Sequence, residues 1–298
     1  MCAANRLFTF INGGKMNDIN KTLYIPLYGK ALVSKKGIIL NDPKAEMIWE
    51  REGFTLKAKS KSRWLAYYMG MRSAVFDRWT VEKIEEYPET VVLHIGCGMD
   101  SRCERVGNAV EGKGDTGYTG NDAEKCAKNP STVSWYDVDF PSVISERRKY
   151  YKETGTYHMV GADVRETAWI AELPDCSRAV IIMEGISMYL SLLELVKLLT
   201  ALKDKFGGIC LLIDCYTELG AKASRYKNPV KDVGVQMVFG LDYPEYLAEQ
   251  TGLTYVREHE MTPESLICQL EGSEQKFFRT MFGGKLAKKM YRMYEYAV

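Results

Sequence analysis

The chain has 298 residues, 46% of them hydrophobic and 27% charged, a composition typical of a globular protein with a substantial core. Its 40 basic and 39 acidic residues argue against nucleic acid as the main partner, because phosphate binding normally needs a basic excess. Eight cysteines without a CxxC pair and only three histidines do not match zinc spacings, so no metal site is predicted. No stretch approaches the roughly 18 apolar residues of a membrane span, and no signal-peptide core is visible. We therefore expect a cytoplasmic protein without a membrane partner.

Residues 1–87 are predicted to form an N-terminal helical cap. Apolar side chains recur at helical spacing from residue 59 to about residue 86. Pro88 marks a boundary before the first strand candidate, so residues 88–298 are expected to form the main domain.

Five strand candidates follow, and helical segments separate them. The last two contain the continuously apolar runs AVIIM and ICLLI, as expected of strands covered by helices on both faces. Between these two, Ser191 and Glu194 form a capping box and Gly207 ends the helix. The alternation predicts an α/β fold with a doubly wound parallel sheet, in which ligands bind beyond the carboxyl ends of the strands. The candidates are residues 90–96, 132–139, 157–163, 179–185 and 208–216.

Two segments are predicted to be insertions in this domain. Residues 107–132 hold only Val110 and Tyr118 as large apolar side chains, which indicates a long polar surface segment. It is either a plain loop or a lid or partner contact. A second segment, at about residues 217–250, is expected to cover the substrate.

The sequence TVVLHIGCGMDSR, residues 90–102, places a glycine turn directly after the first strand. Gly96 and Gly98 allow a ligand to approach the backbone closely, but Ser101 replaces the third glycine of the dinucleotide fingerprint. Asp100 would repel a pyrophosphate, which disfavours a nicotinamide-dependent dehydrogenase. A positively charged or zwitterionic ligand such as S-adenosylmethionine fits better.

Carboxylates at the next two strand ends extend this prediction. Asp137 and Asp139 end the second strand, and either could accept hydrogen bonds from ribose hydroxyls. One of them is expected to cap the helix that begins near Pro141 instead. Asp163, at the end of the third strand, is placed to contact the adenine amino group, with Val164 against the face of the ring.

Four blocks in this order resemble the leucine carboxyl methyltransferase family, especially a bacterial branch similar to polyketide-tailoring O-methyltransferases. The blocks are HIGCGMDSRCERV, WYDVDFPSVISERRKYY, GADVRETAWI and MEGISMYLSLLELVKLL. The N-terminal stretches TLYIPLYGKALVSKKGIILNDPKAE and GMRSAVFDRW also resemble that branch, so the resemblance extends over roughly residues 20–215. It implies a class I S-adenosylmethionine-dependent methyltransferase fold, with a Rossmann-like, mostly parallel sheet of about seven strands and an N-terminal helical cap.

The resemblance also implies a set of cofactor-binding residues. Arg72 would meet the carboxylate of the cofactor, Asp139 the ribose, and Asp163 with Val164 the adenine. Glu184 and Tyr189 lie in an E-G-x-x-x-Y motif beside the methionine part and the substrate entrance. The implied cofactor contacts are Arg72, Gly96, Cys97, Gly98, Asp100, Asp139, Asp163, Val164, Glu184 and Gly185.

Methyl transfer makes modest demands on the protein, because the cofactor carries its own leaving group. A carboxylate acceptor is already ionised at neutral pH and needs only a clamp such as Lys30 or Tyr189. A phenol, with a pKa of about 10, benefits from a general base. Since histidines are few, the sequence favours a carboxylate modestly, with Tyr189 and Arg72 as the candidate catalytic residues.

Two functions from different classes are compatible with these motifs. The first is an O-methyltransferase that acts on a carboxylate or hydroxyl of a small molecule, polyketide-like molecules included, or of a protein, and releases S-adenosylhomocysteine. The alternative is a non-catalytic S-adenosylmethionine-binding or scaffolding protein. The joint presence of Asp139, Asp163, Glu184 and Tyr189 favours the enzyme.

Overall fold

A seven-stranded sheet with the strand order β3-β2-β1-β4-β5-β7-β6 organises the chain. The computed structural model describes residues 21–53, 61–111, 133–227 and 238–298. The five central strands pair in parallel, whereas β7 runs antiparallel to both β5 and β6. The strands are β1 (Val91–Ile95), β2 (Ser134–Asp139), β3 (Tyr157–Gly161), β4 (Arg178–Met183), β5 (Gly208–Tyr216), β6 (Thr254–His259) and β7 (Tyr291–Ala297).

Alternate residues of the apolar strands pack on opposite faces of the sheet, as strand geometry requires. On β4, Val180 and Ile182 join one core cluster, and Ala179, Ile181 and Met183 join the other. Helices cover both faces, so the predicted doubly wound α/β fold and its parallel strands are confirmed. The helices are α1 (Lys21–Lys35), α2 (Pro43–Glu52), α3 (Arg63–Glu86), α4 (Arg102–Val110), α5 (Pro141–Arg147), α6 (Leu192–Phe206), α7 (Glu218–Lys227), α8 (Pro244–Thr251), α9 (Glu264–Ile267), α10 (Gly272–Met281) and α11 (Lys285–Lys288).

The first three helices lie on the face of the sheet that carries Val92, Val180 and Leu212. Helix α1 approaches α3 closely at Gly70, where an added Cβ would lie 2.9 Å from Val33 Cγ2. This packing brings α3 across the carboxyl ends of β4 and β5, where its residues meet the strand-end side chains described below.

Several predicted boundaries differ from the structure. The insertion expected from residue 107 begins later, because α4 continues to Val110; residues 112–132 lie outside the described residues. The segment at about 217–250 contains α7 and α8, and its residues 228–237 also lie outside them. The five predicted strands are present within one or two residues of their expected ends.

Helix α6 tests the stability contribution of a local motif. Ser191 and Glu194 form the predicted capping box, in which the Ser191 side chain accepts from the Glu194 amide. Replacing Ser191 with alanine should lower the free energy of unfolding by about 1 kcal/mol, because an amide at the helix start loses its acceptor. Urea denaturation followed by circular dichroism measures this change. Ser191→Asn retains a capping oxygen and is the control; equal losses in both variants would contradict a contribution from the cap.

Candidate functional site

The glycine turn after β1 is tight because two of its residues adopt positive φ. Gly96 has φ +74° and Gly98 has φ +52°, a region that side chains rarely adopt. An added Cβ at Gly96 would lie 2.7 Å from Ile186 Cδ1, so only glycine fits there. The buried Cys97 lies between them, and its amide and that of Gly96 both donate to the Val138 carbonyl. The turn is therefore tight, and at the carboxyl end of β1 its backbone is open to close approach by a ligand.

Arg147 of α5 holds this turn against the end of the sheet. Its Nη1 donates to the Gly98 carbonyl oxygen at 3.0 Å, and its Nη2 pairs with Asp137. Asp137 also accepts from Tyr157 Oη at 2.6 Å and from Trp135 Nε1 at 2.9 Å. Although burial opposes ionisation, Arg147 helps lower the pKa of Asp137 to about 2. Asp137 is thus a structural counter-ion within the sheet.

Asp139, two residues later, has a different environment. Its Oδ2 accepts from the Gly98 amide at 2.8 Å and its Oδ1 from the Phe140 amide at 2.7 Å. Burial raises the pKa of Asp139 to about 6, and the two backbone amides offset this only in part. Each oxygen keeps a further lone pair. Asp139 is therefore the carboxylate at the end of β2 that can accept additional hydrogen bonds.

The end of β3 holds the residues predicted to contact adenine. Asp163 is partly exposed and pairs with Arg165, whose Nε lies 2.8 Å from Oδ1, and this pairing lowers its pKa against the effect of partial burial. Val164 is buried in the apolar core, so its side chain contributes packing. The sequence analysis overlooked Phe140, whose ring is 42% exposed directly after Asp139. The signal was present in the sequence as a large apolar residue after a strand-ending carboxylate.

Arg72 and Glu184 form a buried ion pair, as expected for a carboxylate at the end of an apolar strand. Arg72 Nε and Nη2 lie 3.0 Å and 2.9 Å from Glu184 Oε1. Burial disfavours the charge on Glu184, but Arg102 and Arg72 together lower its pKa to about 2. Gly185 follows with φ +72°, and an added Cβ there would lie 3.5 Å from Arg72 Nη2. The guanidinium thus lies against the backbone of the E-G-x-x-x-Y motif.

The opposite edge of the Arg72 guanidinium contacts Asp214, which the sequence analysis missed, and Tyr291, whose contact with Arg72 it did not predict. Nη1 lies 3.1 Å from Oδ2 of Asp214, on β5, and donates to Tyr291 Oη at 3.2 Å. Asp214 is fully buried and Tyr291 nearly so. No local motif marked either residue, because both reach Arg72 from strands that follow it by more than 100 positions in the sequence.

Asp100 is compensated by three cations, which corrects an assumption made from the sequence. Lys30 Nζ lies 3.0 Å from Oδ2, Arg105 Nη1 2.8 Å from Oδ1 and Arg102 Nη2 3.5 Å from Oδ2. Burial opposes ionisation of Asp100, yet Arg105, Lys30 and Arg102 hold its pKa well below the usual range. The carboxylate is therefore not a free negative charge that would by itself repel a phosphate. Lys30, predicted as a clamp for the acceptor, is 3% exposed and committed to this ion pair.

Together these residues form a buried ionic network beside the glycine turn. It contains four cations and five carboxylates, so carboxylates outnumber cations by one. This surplus suits a ligand with a net positive charge, and S-adenosylmethionine carries one. The donor set also fits, with an arginine for a carboxylate, acidic groups for an ammonium, and Asp139 for hydroxyls. The network consists of Lys30, Arg72, Arg102, Arg105, Asp42, Asp77, Asp100, Glu184 and Asp214.

Tyr189 lies near this network at the end of β4. It is half-buried, and burial, with Tyr216 adding to it, raises the pKa of its hydroxyl. The Tyr216 and Tyr291 rings are 4.7 Å apart, and Tyr291 lies beneath Arg72. Of the other C-terminal tyrosines, Tyr294 and Tyr296 are in the core, and Tyr243 and Tyr246 are exposed.

The histidine before the turn is structural. His94 is 1% exposed, with Nε2 3.1 Å from Arg102 Nη1 and Nδ1 3.3 Å from Asp137 Oδ1. Burial lowers its pKa, so it is neutral at pH 7. His94 therefore bridges the two buried ion clusters.

Two curated proteins are similar to this chain along most of its length. It is 24% identical over 263 residues to the tetracenomycin polyketide synthesis O-methyltransferase TcmP of Streptomyces glaucescens, covering 88% of this chain and 90% of that protein. It is also 24% identical over 270 residues to the S-adenosyl-L-methionine-dependent methyltransferase dpfgK of Gibberella zeae, covering 80% and 81%. No family profile matches the chain. The resemblance seen in the motifs, the predicted methyltransferase activity and the predicted cofactor are confirmed, and neither relative supports a non-catalytic role.

A solved structure agrees with the fold. A DUF574 family protein from Streptomyces avermitilis superposes with a TM-score of 0.50 at 14% identity, covering 86% of this chain and 89% of that one. Within the described part of the chain, no helix has the length and apolarity to cross a membrane.

The environment of Asp139 predicts a pH dependence. Methylthioadenosine carries adenine and ribose but no amino-acid end, so its binding reports on Asp139 without involving Arg72. Its affinity should fall as the pH drops through about 6, because the protonated carboxyl loses an acceptor site and its charge. We expect a loss of roughly tenfold between pH 7.5 and pH 5 in calorimetric titrations.

The control for this experiment is Asp139→Ala, which should bind weakly and equally at both pH values. Two outcomes would contradict a ribose contact at Asp139. One is an affinity of the unsubstituted protein that does not change with pH, and the other is an Asp139→Ala protein that binds methylthioadenosine as tightly as the unsubstituted protein.

Proposed function

We propose that this chain is an S-adenosylmethionine-dependent O-methyltransferase that methylates a carboxylate or hydroxyl oxygen of a small, polyketide-like molecule. The observation that carries the proposal is that the glycine turn, Asp139, Asp163 and the Arg72–Glu184 pair all lie at the carboxyl ends of adjacent parallel strands. Similarity to TcmP over 88% of the chain supports the polyketide-like acceptor.

Each part of the cofactor has a chemically matched group in this site. Arg72 would bind the carboxylate, and Glu184 would accept from the ammonium. Asp139 would accept from the ribose hydroxyls, while Asp163 and Phe140 would face the adenine. The backbone would approach the cofactor closely at Gly96, Cys97, Gly98 and Gly185. The sides of the cofactor site would be held in position by Asp100 and Val164. When bound, S-adenosylmethionine supplies an electrophilic methyl group on its own leaving group.

Tyr189 is proposed to orient the acceptor oxygen. Its hydroxyl keeps its proton because burial raises its pKa, so it acts as a hydrogen-bond donor. Lys30 would act through Asp100, to which it is bound, and so would help to shape the turn instead of gripping the acceptor directly. A carboxylate acceptor would need no base, which agrees with the contacts of His94 with Arg102 and Asp137.

We also propose the arrangement around the site. Residues 1–87 would act as a cap, since Leu23 and Lys30 of α1 contact the glycine turn and Asp100. The segment at about 217–250 would cover the acceptor, since the Phe239 amide donates to the Met188 carbonyl beside Tyr189. A cytoplasmic location suits the cysteines of the described residues, all six of which are free thiols.

The function is tested by incubating the purified protein with methyl-labelled S-adenosylmethionine and a panel of aromatic carboxylic acids and phenols. We expect label to enter an aromatic acceptor, with S-adenosylhomocysteine as the co-product. Mild alkali releases the label from a methyl ester but not from an aryl ether, which identifies the acceptor oxygen. Tight cofactor binding without transfer to any acceptor would favour the non-catalytic alternative, and saturable NAD binding without S-adenosylmethionine binding would overturn the proposal.

Replacement of Arg72 by lysine tests its role toward the cofactor. Lysine keeps the charge but cannot make the fork that a guanidinium makes with a carboxylate. S-adenosylmethionine should therefore bind roughly tenfold more weakly or worse, whereas methylthioadenosine, which lacks the carboxylate, should bind nearly as before. Equal weakening of both ligands in calorimetry would show that Arg72 only maintains the fold.

A further inference from the structure

Asp214 connects β5 to the turn that follows β4. Its side chain is fully buried, and its Oδ1 accepts from the Gly185 amide at 2.7 Å. Its backbone carbonyl accepts from Ser187 Oγ. The start of the E-G-x-x-x-Y motif is therefore held at two points by one residue of the neighbouring strand.

The second carboxylate oxygen of Asp214 faces Arg72. Oδ2 lies 3.1 Å from Arg72 Nη1 and has no well-aligned hydrogen bond to any of the described residues. Arg72 is thus held along both edges: Glu184 contacts Nε and Nη2, and Asp214 and Tyr291 contact Nη1. Two adjacent strands contribute one carboxylate each, which fixes the plane of the guanidinium.

The ionised form of Asp214 is costly to bury in this position. Burial raises its pKa to about 6, against the lowering effects of Arg72, the Gly185 amide and Tyr291. A second carboxylate, Glu184, also lies close enough to raise it. A neutral side chain could accept from Gly185 equally well, so the hydrogen bond alone does not explain an acid here. The second oxygen, which faces Arg72, does.

We propose that Asp214 is a positioning residue for methyl transfer, which holds Arg72 and the Gly185 turn in the arrangement that grips the amino-acid end of the cofactor. The inference rests on the proposed function and adds a residue to it. Asp214 itself contacts neither the reacting methyl group nor the acceptor, and it acts through Arg72.

Asp214→Asn separates the two roles of the side chain. The asparagine oxygen can still accept from Gly185, but its amide group turns N–H donors toward the N–H donors of Arg72. Arg72 should then rotate away from its present plane. We expect S-adenosylmethionine to bind roughly ten- to a hundredfold more weakly, while methylthioadenosine changes less than about threefold. Calorimetry with both ligands measures the ratio of the two dissociation constants.

Glu295→Gln is the matched control for loss of a buried acid. Glu295 lies on the neighbouring strand β7, is 3% exposed, and pairs with Arg257 at 2.9 Å instead of with Arg72. It should lower the melting temperature without changing the ratio of the two dissociation constants. An unchanged ratio in Asp214→Asn, or tighter S-adenosylmethionine binding because Asp214 competes with the cofactor carboxylate, would overturn the inference.

Tyr291→Phe provides a second test that depends less on the folding of a variant with an altered buried charge. It removes the hydroxyl that accepts from the same Nη1 and keeps the ring in place. We expect a loss of about threefold for S-adenosylmethionine alone, and equal losses for both ligands would count against the positioning of Arg72. If the unsubstituted protein binds neither ligand, the proposed function itself fails, which is distinct from an unchanged ratio.

Discussion

The buried contact between Arg102 and Glu184 joins the parts of the site that are far apart in the chain. Arg102 begins α4 directly after the glycine turn, is 0% exposed, and also binds Asp77 of α3 at 2.6 Å. Removing one partner of such a pair leaves an uncompensated charge in the core, at a cost of about 3–5 kcal/mol. The glycine turn, the end of β4 and helix α3 are therefore fixed relative to one another, and the position of Arg72 on α3 follows from this constraint.

The network also prepares the site for its ligand. Its cations and carboxylates are already desolvated and oriented by one another before a ligand binds. Asp100 is an example of this mutual orientation. Three cations, Lys30, Arg102 and Arg105, compensate its charge, and it aligns them around the glycine turn. Preorganised charges of this kind act in a low-dielectric environment, where they interact more strongly than in water.

Local sequence patterns predicted the parts of the fold that local interactions determine. The apolar runs of β4 and β5, the capping box at Ser191 and the glycine turn each depend on neighbours within a few residues. The insertion of β7 between β5 and β6 and the contacts of Arg72 with Asp214 and Tyr291 could not be predicted in this way. They join residues more than 30 positions apart, and the partners carry no periodicity or spacing that would identify them. Asp100 was interpreted as a free charge although two of its three cations, Arg102 and Arg105, lie within five positions of it in the sequence.

Asp137 and Asp139 show why residue type alone does not assign a role in this site. They lie two positions apart on β2 and so point to the same face, yet their pKa values are displaced in opposite directions, to about 2 and about 6. Asp137 is surrounded by Arg147, Tyr157 and Trp135, which occupy the lone pairs of its carboxylate. Asp139 has only two backbone amides, one from the glycine turn itself, and retains lone pairs for a ligand. Asp139, at the end of the strand beside the glycine turn, can therefore recognise a ribose. Asp137, although it is more strongly ionised, cannot.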